Sequence, residues 1–288
     1  MITVLFGLFG LIPAALAASR ARKTGHSENR YWIAFGVSLI GSVALYIVAV
    51  LGVLSLFVTT VGSSDTPSAF TPDSVPAPST DYIPAPTATN ADGTVACNFI
   101  PDTSGNVNII DVGTPPDAAR TPTTGTSTLL MSTGQGDLTL TLDRATAPCA
   151  VSSFTFLAQQ GFFDGSPCHR EVNQETFGVL QCGDPSGTGQ GGPSYKYGQE
   201  VTASTAYPRG TIAMANSGQV NSTGSQFFLC FTDTQLPPDY TAVGTVDEAG
   251  LAVLDTIAAA GNDGSFEPSP GGGAPNIPVV ITAMTTQD

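Results

Sequence analysis

The 288-residue chain carries 9 Lys and Arg against 23 Asp and Glu, a formal charge of −14. So acidic a chain lacks the basic face that phosphate binding needs, which argues against nucleic acid as a partner. The charge is also unevenly spread: residues 1–60 hold Arg20, Arg22, Lys23, Arg30 and Glu28 for a net of +3, and the remainder nets −17, so the chain divides into parts of different character.

Met1 to Ala18 is an apolar run interrupted by Gly7, Gly10 and Pro13, and Tyr31 to Val58 is a second run with no charged residue. Roughly 20 helical residues span the hydrocarbon of a bilayer, and Tyr31 and Trp32 suit its interface, so the second run reads as a transmembrane helix. The first run admits two readings. Its A-A-L-A-A-S end fits a signal peptide, but no basic residue precedes it, and the positive loop comes after it instead. That order favours a transmembrane helical hairpin over residues 1–60. The loop Arg20–Arg30 then lies in the cytoplasm and both ends lie outside, in a multi-pass cell-membrane protein with an extracytoplasmic C-terminal part. Membrane lipid is the partner this segment implies.

Residues 61–124 turn to Pro, Ser, Thr, Asp and Ala. S-V-P-A-P-S-T-D-Y-I-P-A-P-T-A-T reads as a disordered, semi-extended linker, with V-A-C-N-F-I-P as a short stretch able to dock on the domain C-terminal to it.

A folded domain is expected over residues 125–288. T-L-L-M-S-T and D-L-T-L-T-L-D, separated by G-Q-G, read as a β-hairpin. Ala147–Gly161 places Val151, Phe154, Leu157 and Ala158 at helical spacing, with Pro near the start and Gly at the end. Short strands come next around Cys168–Val172 and Gly178–Gln181. T-I-A-M-A, S-Q-F-F-L-C-F and A-V-G-T-V read as further strands, E-A-G-L-A-V-L-D-T-I-A-A-A-G as a second helix, and P-N-I-P-V-V-I-T-A-M-T as a closing strand. Many short strands with two helices predict a mainly β fold, a closed barrel capped by helices. G-T-G-Q-G-G lacks the Lys-Ser/Thr of a phosphate loop and reads as a mobile surface loop.

The five cysteines contain no C-x-x-C pair, and the two histidines are His26 and His169, which argues against a zinc site. Two readings remain open: small core residues, or disulfides in an oxidising compartment. For the second, Cys168 with Cys182 and Cys97 with Cys149 are the candidate pairs, leaving Cys230 as a buried thiol.

Arg170 is one of five basic residues after position 60. The stretch around it and Gly210–Phe228 together describe an apolar slot with a few polar groups at its rim, the general form of a small-ligand or peptide site. F-F-D-G-S-P-C-H-R, V-L-Q-C-G-D-P-S-G-T-G-Q-G-G-P, M-A-N-S-G and N-S-T-G-S-Q-F-F-L closely resemble, in that order, cyclophilin-type peptidyl-prolyl cis–trans isomerases. The resemblance covers about residues 125–286. It implies an eight-stranded antiparallel barrel closed by two helices, proline-containing polypeptides as partners, and no cofactor or metal. It places the family's catalytic Arg on Arg170 and the Gln of its Q-x-G-D element on Gln181. His169, Met214, Ala215, Asn216, Gln226, Phe228 and Tyr240 fall on substrate-binding positions. The family's aromatic three residues before the Gln falls on Gly178, with Phe177 one place earlier, which leaves two readings: a local shift brings Phe177 into the pocket as a substrate-binding residue, or the pocket lacks that wall. Leu236 stands where some members carry a Trp that contacts cyclosporin, which implies weak binding of that inhibitor.

Prolyl isomerisation breaks no covalent bond; the barrier of about 18–20 kcal/mol is C–N resonance. A fixed guanidinium that donates to the nitrogen of a twisted amide stabilises the half-turned state more than either planar one. The resemblance therefore implies Arg170 as that donor and Gln181 as an anchor for the flanking peptide. A non-catalytic cyclophilin-like chaperone or proline-peptide binder is the alternative from the same residues.

Overall fold

The computed structural model describes residues 89–287. The two apolar runs and the first half of the Pro-rich segment lie outside the described residues, and among the described residues no helix is long and apolar enough to cross a membrane.

The hairpin pattern at Thr128 forms as read. β3 (Thr126–Thr133) and β4 (Gly136–Asp143) pair antiparallel over their whole length, with Leu129 opposite Leu140 and Met131 opposite Leu138. Alternation puts these four side chains on one face, where all are buried; each contributes about 1.5–3 kcal/mol of burial. They join β5 (Arg170–Gln174), β6 (Phe177–Cys182), β9 (Thr211–Met214), β10 (Phe227–Cys230), β11 (Ala242–Val246) and β12 (Ile281–Thr286) in one eight-stranded antiparallel sheet of order β12-β3-β4-β11-β9-β10-β6-β5.

The expected closed barrel differs at one place. β12 and β5 stand at the two ends of this order, and no ladder joins them among the described residues. Three backbone hydrogen bonds instead join the segment before β5 to the start of β12 and the residues just before it: Gly165 N–H to Ile281 O, Cys168 N–H to Val279 O and Ile281 N–H to Ser166 O.

Two helices complete the core. α1 (Pro148–Gln159) buries Val151, Phe154 and Leu157, and the Phe154 ring lies 5.1 Å from Phe163 and 4.8 Å from Phe227. Its N-cap, Ala147, offers no side-chain acceptor. Glu200 supplies one from afar, accepting the N–H groups of Cys149 and Ala150 at 3.0 and 2.8 Å, where a helix start leaves its donors unpaired. α2 (Glu248–Ala260) is capped locally by Asp247, whose carboxylate accepts Gly250 N–H.

The second half of the expected linker is not disordered. Val95 bridges Thr89 and Thr121. β1 (Ile100–Pro101) pairs antiparallel with β8 (Tyr195–Lys196), and β2 (Ile109–Ile110) runs parallel to β7 (Gly192–Pro193). Phe99 sets its ring edge-on against Tyr195 and Tyr197, 5.1 and 5.6 Å away. A disulfide joins Cys97 to Cys149. Composition suggested a solvated segment; these apolar side chains and the covalent link instead hold it to the domain as an arm. A second disulfide joins Cys168 to Cys182, and Cys230 is a buried thiol.

Candidate active site

The register of the sheet assembles the site. Arg170 of β5 pairs with Gln181 of β6, Gln181 with Phe228 of β10, and Phe228 with Ala213 of β9. Directly paired residues share a face, so a row from the cation through the phenyl ring to Ala213 runs across four strands. Period two along β6 adds Phe177 and Val179 to that face. The result is an open groove of about 590 Å³ lined by His169, Arg170, Phe177, Val179, Gln181, Ala215, Asn216, Phe228, Leu236 and Tyr240, with Thr188, Gly189 and Gln190 on one wall and Phe266 and Pro270 on another.

The Arg170 guanidinium is oriented by its own chain. Nη1 donates to Gln181 Oε1 at 3.1 Å, Nε to Gly271 O at 2.9 Å and Nη2 to Pro270 O at 2.8 Å. Of its five N–H groups, these bonds take three and leave one on each Nη. Its carbon lies 5.9 Å from the Phe177 ring centroid, within cation–π range. Burial lowers its pKa, with Tyr240 and Glu267 opposing; the group stays charged at ordinary pH.

Gln181 continues the chain of bonds. Its Nε2 donates to Gln226 Oε1 at 3.0 Å, and Gln226 Nε2 donates to the carbonyls of Gly189 and Gly191. Gln226 does not line the groove; it ties Gln181 to the Gly-rich segment. That segment is not a free surface loop. Buried Asp184 accepts Ser186 N–H, the Ser186 hydroxyl and Gly191 N–H, and the segment folds back to form a groove wall. Gly189 sits at φ +77°, and a Cβ there would stand 3.3 Å from His169 Cδ2. His169 is itself buried with no partner for Nδ1; burial lowers its pKa, Asp184 opposes this and Arg170 adds to it.

The apolar end is an aromatic cluster. Tyr240 meets Phe228 edge-on at 5.5 Å, and the Tyr207 hydroxyl donates to Tyr240 O while accepting Tyr240 N–H. Asn216 Nδ2 donates to Asp239 O at 2.9 Å.

Met214 is not brought to the groove. It pairs with Phe227 and packs in the main core, one residue out of phase with Ala213 and Ala215. Phe177 occupies the wall and Gly178 does not. Gly178 belongs to the opposite face of β6, where a Cβ would lie 2.4 Å from Thr232 Oγ1 and 2.7 Å from the Phe231 ring.

Sequence reasoning passed over Val179, Thr188, Gly189, Gln190, Phe266 and Pro270. Strand alternation from Gln181 was signal enough for Val179; Thr188, Gly189 and Gln190 lie in the Gly-rich motif read as a surface loop, and nothing local marks Phe266 and Pro270.

Residues 128–286 match the family model described as cyclophilin type peptidyl-prolyl cis-trans isomerase/CLD. The chain belongs to this family. The probable peptidyl-prolyl cis-trans isomerase B of Mycobacterium leprae is 48% identical over 160 residues, covering 51% of this chain and 54% of that protein. The protein of the same description in Mycobacterium tuberculosis is 45% identical over 166 residues, 54% of this chain and 52% of that one. This chain thus spans about half the length of these curated relatives. The crystal structure of a cyclophilin type peptidyl-prolyl cis-trans isomerase from Cryptosporidium parvum superposes with a TM-score of 0.50 at 26% identity, covering 57% of this chain and 99% of that one. The cyclophilin-type span begins at Thr128, so the arm over residues 89–124 precedes it.

Proposed function

We propose that this protein is a peptidyl-prolyl cis–trans isomerase acting on X-Pro bonds of polypeptides outside the cytoplasm, and that it assists their folding. The observation that carries the proposal is a guanidinium held at three N–H groups beside an apolar groove, with one donor on each Nη still to give. Phe177, Val179, Phe228 and Leu236 bury the proline ring. The remaining Arg170 donors meet the amide nitrogen when it is pyramidal, and Gln181 holds the flanking peptide while the other side turns. The acceleration is electrostatic and differential, with no bond made to the protein.

Two features support a place outside the cytoplasm. Two disulfides fit an oxidising compartment, and the positive loop between the apolar runs fits a membrane hairpin with both ends outside. Protease added to intact cells then releases the C-terminal part; full protection overturns this orientation.

One observation favours a second reading. Pro270 and Gly271 take two of the Arg170 donors, as a site meant to hold proline segments without turning them over would permit. Isomerisation of a proline peptide by the full-length chain decides between them. The enzyme reading requires turnover that Arg170→Ala removes; peptide binding without turnover favours the binding module.

A further inference from the structure

We propose that the arm preceding the family-matched span sets the shape of the groove's Gly-rich wall, and that Asn106 positions that wall and so tunes which residues flanking proline are accepted. The inference rests on the isomerase reading of the groove.

Thr188, Gly189 and Gln190 form one side of the groove. Gly187 and Gly189 adopt positive φ, and Gly191 and Gly192 come directly after. A strip so rich in glycine has little conformational preference of its own. Its position is therefore decided by what holds it. On the sheet side, the holders are Gln226, through the carbonyls of Gly189 and Gly191, and buried Asp184, through the N–H groups of Ser186 and Gly191. On the other side it is the arm. Asn106 Nδ2 donates to Gln190 O at 2.7 Å, and Asn108 Nδ2 reaches Thr188 Oγ1 at 3.4 Å. Just beyond, Ile109–Ile110 pair with Gly192–Pro193, and the Ser194 hydroxyl donates to Asp111 Oδ1 at 2.7 Å.

A brace works only if it is itself anchored, and this one is held on both sides of Asn106. Upstream stand the Cys97–Cys149 disulfide, the β1–β8 ladder, Asp102 N–H to Ser194 O, and Lys196 at 3.7 Å from Asp102. Downstream stands the β2–β7 ladder. The apolar groove residues suit the proline ring, which leaves Thr188–Gln190 to meet the residues beside it. Two residues of the wall, Thr188 and Gln190, are thus held from a segment outside the span that matches the family model.

The test uses the full-length chain and a set of peptides X-Pro in which X is Gly, Ala, Leu or Phe. Asn106→Ala is expected to change KM by roughly 2–10-fold, by an amount that depends on X, the range one lost hydrogen bond gives. The kcat should stay within about twofold, because the bonds that orient Arg170 are untouched. Asn106→Asp keeps the shape but loses the donor and should behave like the Ala variant; Asn106→Gln keeps a donor and should recover part of the effect. The proposal fails if KM and the preference among X stay unchanged, if Asn106→Asp matches the parent, or if kcat falls equally for every X together with the melting temperature. A parent chain that turns over no peptide sinks the isomerase reading alone; the arm's role is then read from Kd for the same peptides.

Discussion

Arg170 and Gln181 are partners twice over: they face each other in the β5–β6 register, and Arg170 Nη1 donates to Gln181 Oε1 at 3.1 Å. Backbone pairing sets the separation, and the side-chain bond sets the plane of the guanidinium. The Cys168–Cys182 disulfide closes the same pair of strands, with one cysteine two residues before Arg170 and the other directly after Gln181.

Removing the cation should cost most. Arg170→Ala is expected to lower kcat/KM by on the order of 10²-fold, as loss of one oriented donor to developing charge does. Arg170→Lys should recover little, because an ammonium cannot reproduce the fork that meets Gln181, Pro270 and Gly271 together. Steady-state kinetics on one proline peptide measures both. Equal activity of Arg170→Ala and the parent would falsify the assignment.

Phe177 and Gly178 should respond oppositely. Phe177→Ala widens the groove and is expected to raise KM with little loss of stability, since Phe177 is only partly buried. Gly178→Ala places a methyl 2.4 Å from Thr232 Oγ1 and 2.7 Å from Phe231, an overpacking that costs about 1–3 kcal/mol. Melting curves alongside kinetics separate the two; a stable Gly178→Ala with altered KM would reverse the facing of β6.

Glu171 predicts a pH slope. It pairs with Leu180 on the core face of β5, it is buried, and neither carboxylate oxygen has a partner. Burial raises its pKa from 4.5 to about 7. The folded chain therefore keeps a proton that the unfolded chain releases. The folded state is favoured fully below about pH 4.5, and that advantage is lost as pH rises to about 7. Glu171→Gln keeps the shape without the titration. At pH 8 it should be more stable than the parent by on the order of 1–3 kcal/mol, with the gap closing towards pH 4. Denaturant unfolding across that range tests this; an unchanged slope in the variant rules Glu171 out as its source.

The arm's covalent anchor should matter in proportion to the loop it closes. Cys97 and Cys149 lie 52 residues apart, and replacing both by Ser is expected to cost about 3–4 kcal/mol. Proteolysis of the arm should speed up at the same time, because Val95 and Phe99 lose their tether. Unchanged melting and unchanged cleavage would show that packing alone holds it.

Much of this domain was legible in the chain. Strand alternation at Leu129–Met131 and Leu138–Leu142, helical spacing at Val151–Leu157, and the motifs around Arg170, Gln181 and Phe228 are local patterns, and local patterns survive in one dimension. The cysteine positions offered the two disulfides that form as candidate pairs, with five unpaired core thiols as the other reading. The order of the motifs identified the family, because each holds a residue whose chemistry the groove requires. Which residues face that groove was decided only in three dimensions. Met214 opens one motif and Phe177 stands one place before a motif position, and one step along a strand exchanges core for groove. The wall at Thr188–Gln190, the carbonyls of Pro270 and Gly271 on Arg170, and the docking of Asn106 join segments some 80–100 residues apart. No periodicity encodes such contacts. They exist because the sheet curls and carries distant loops to one edge, where glycine and asparagine find partners that composition alone marked as solvent.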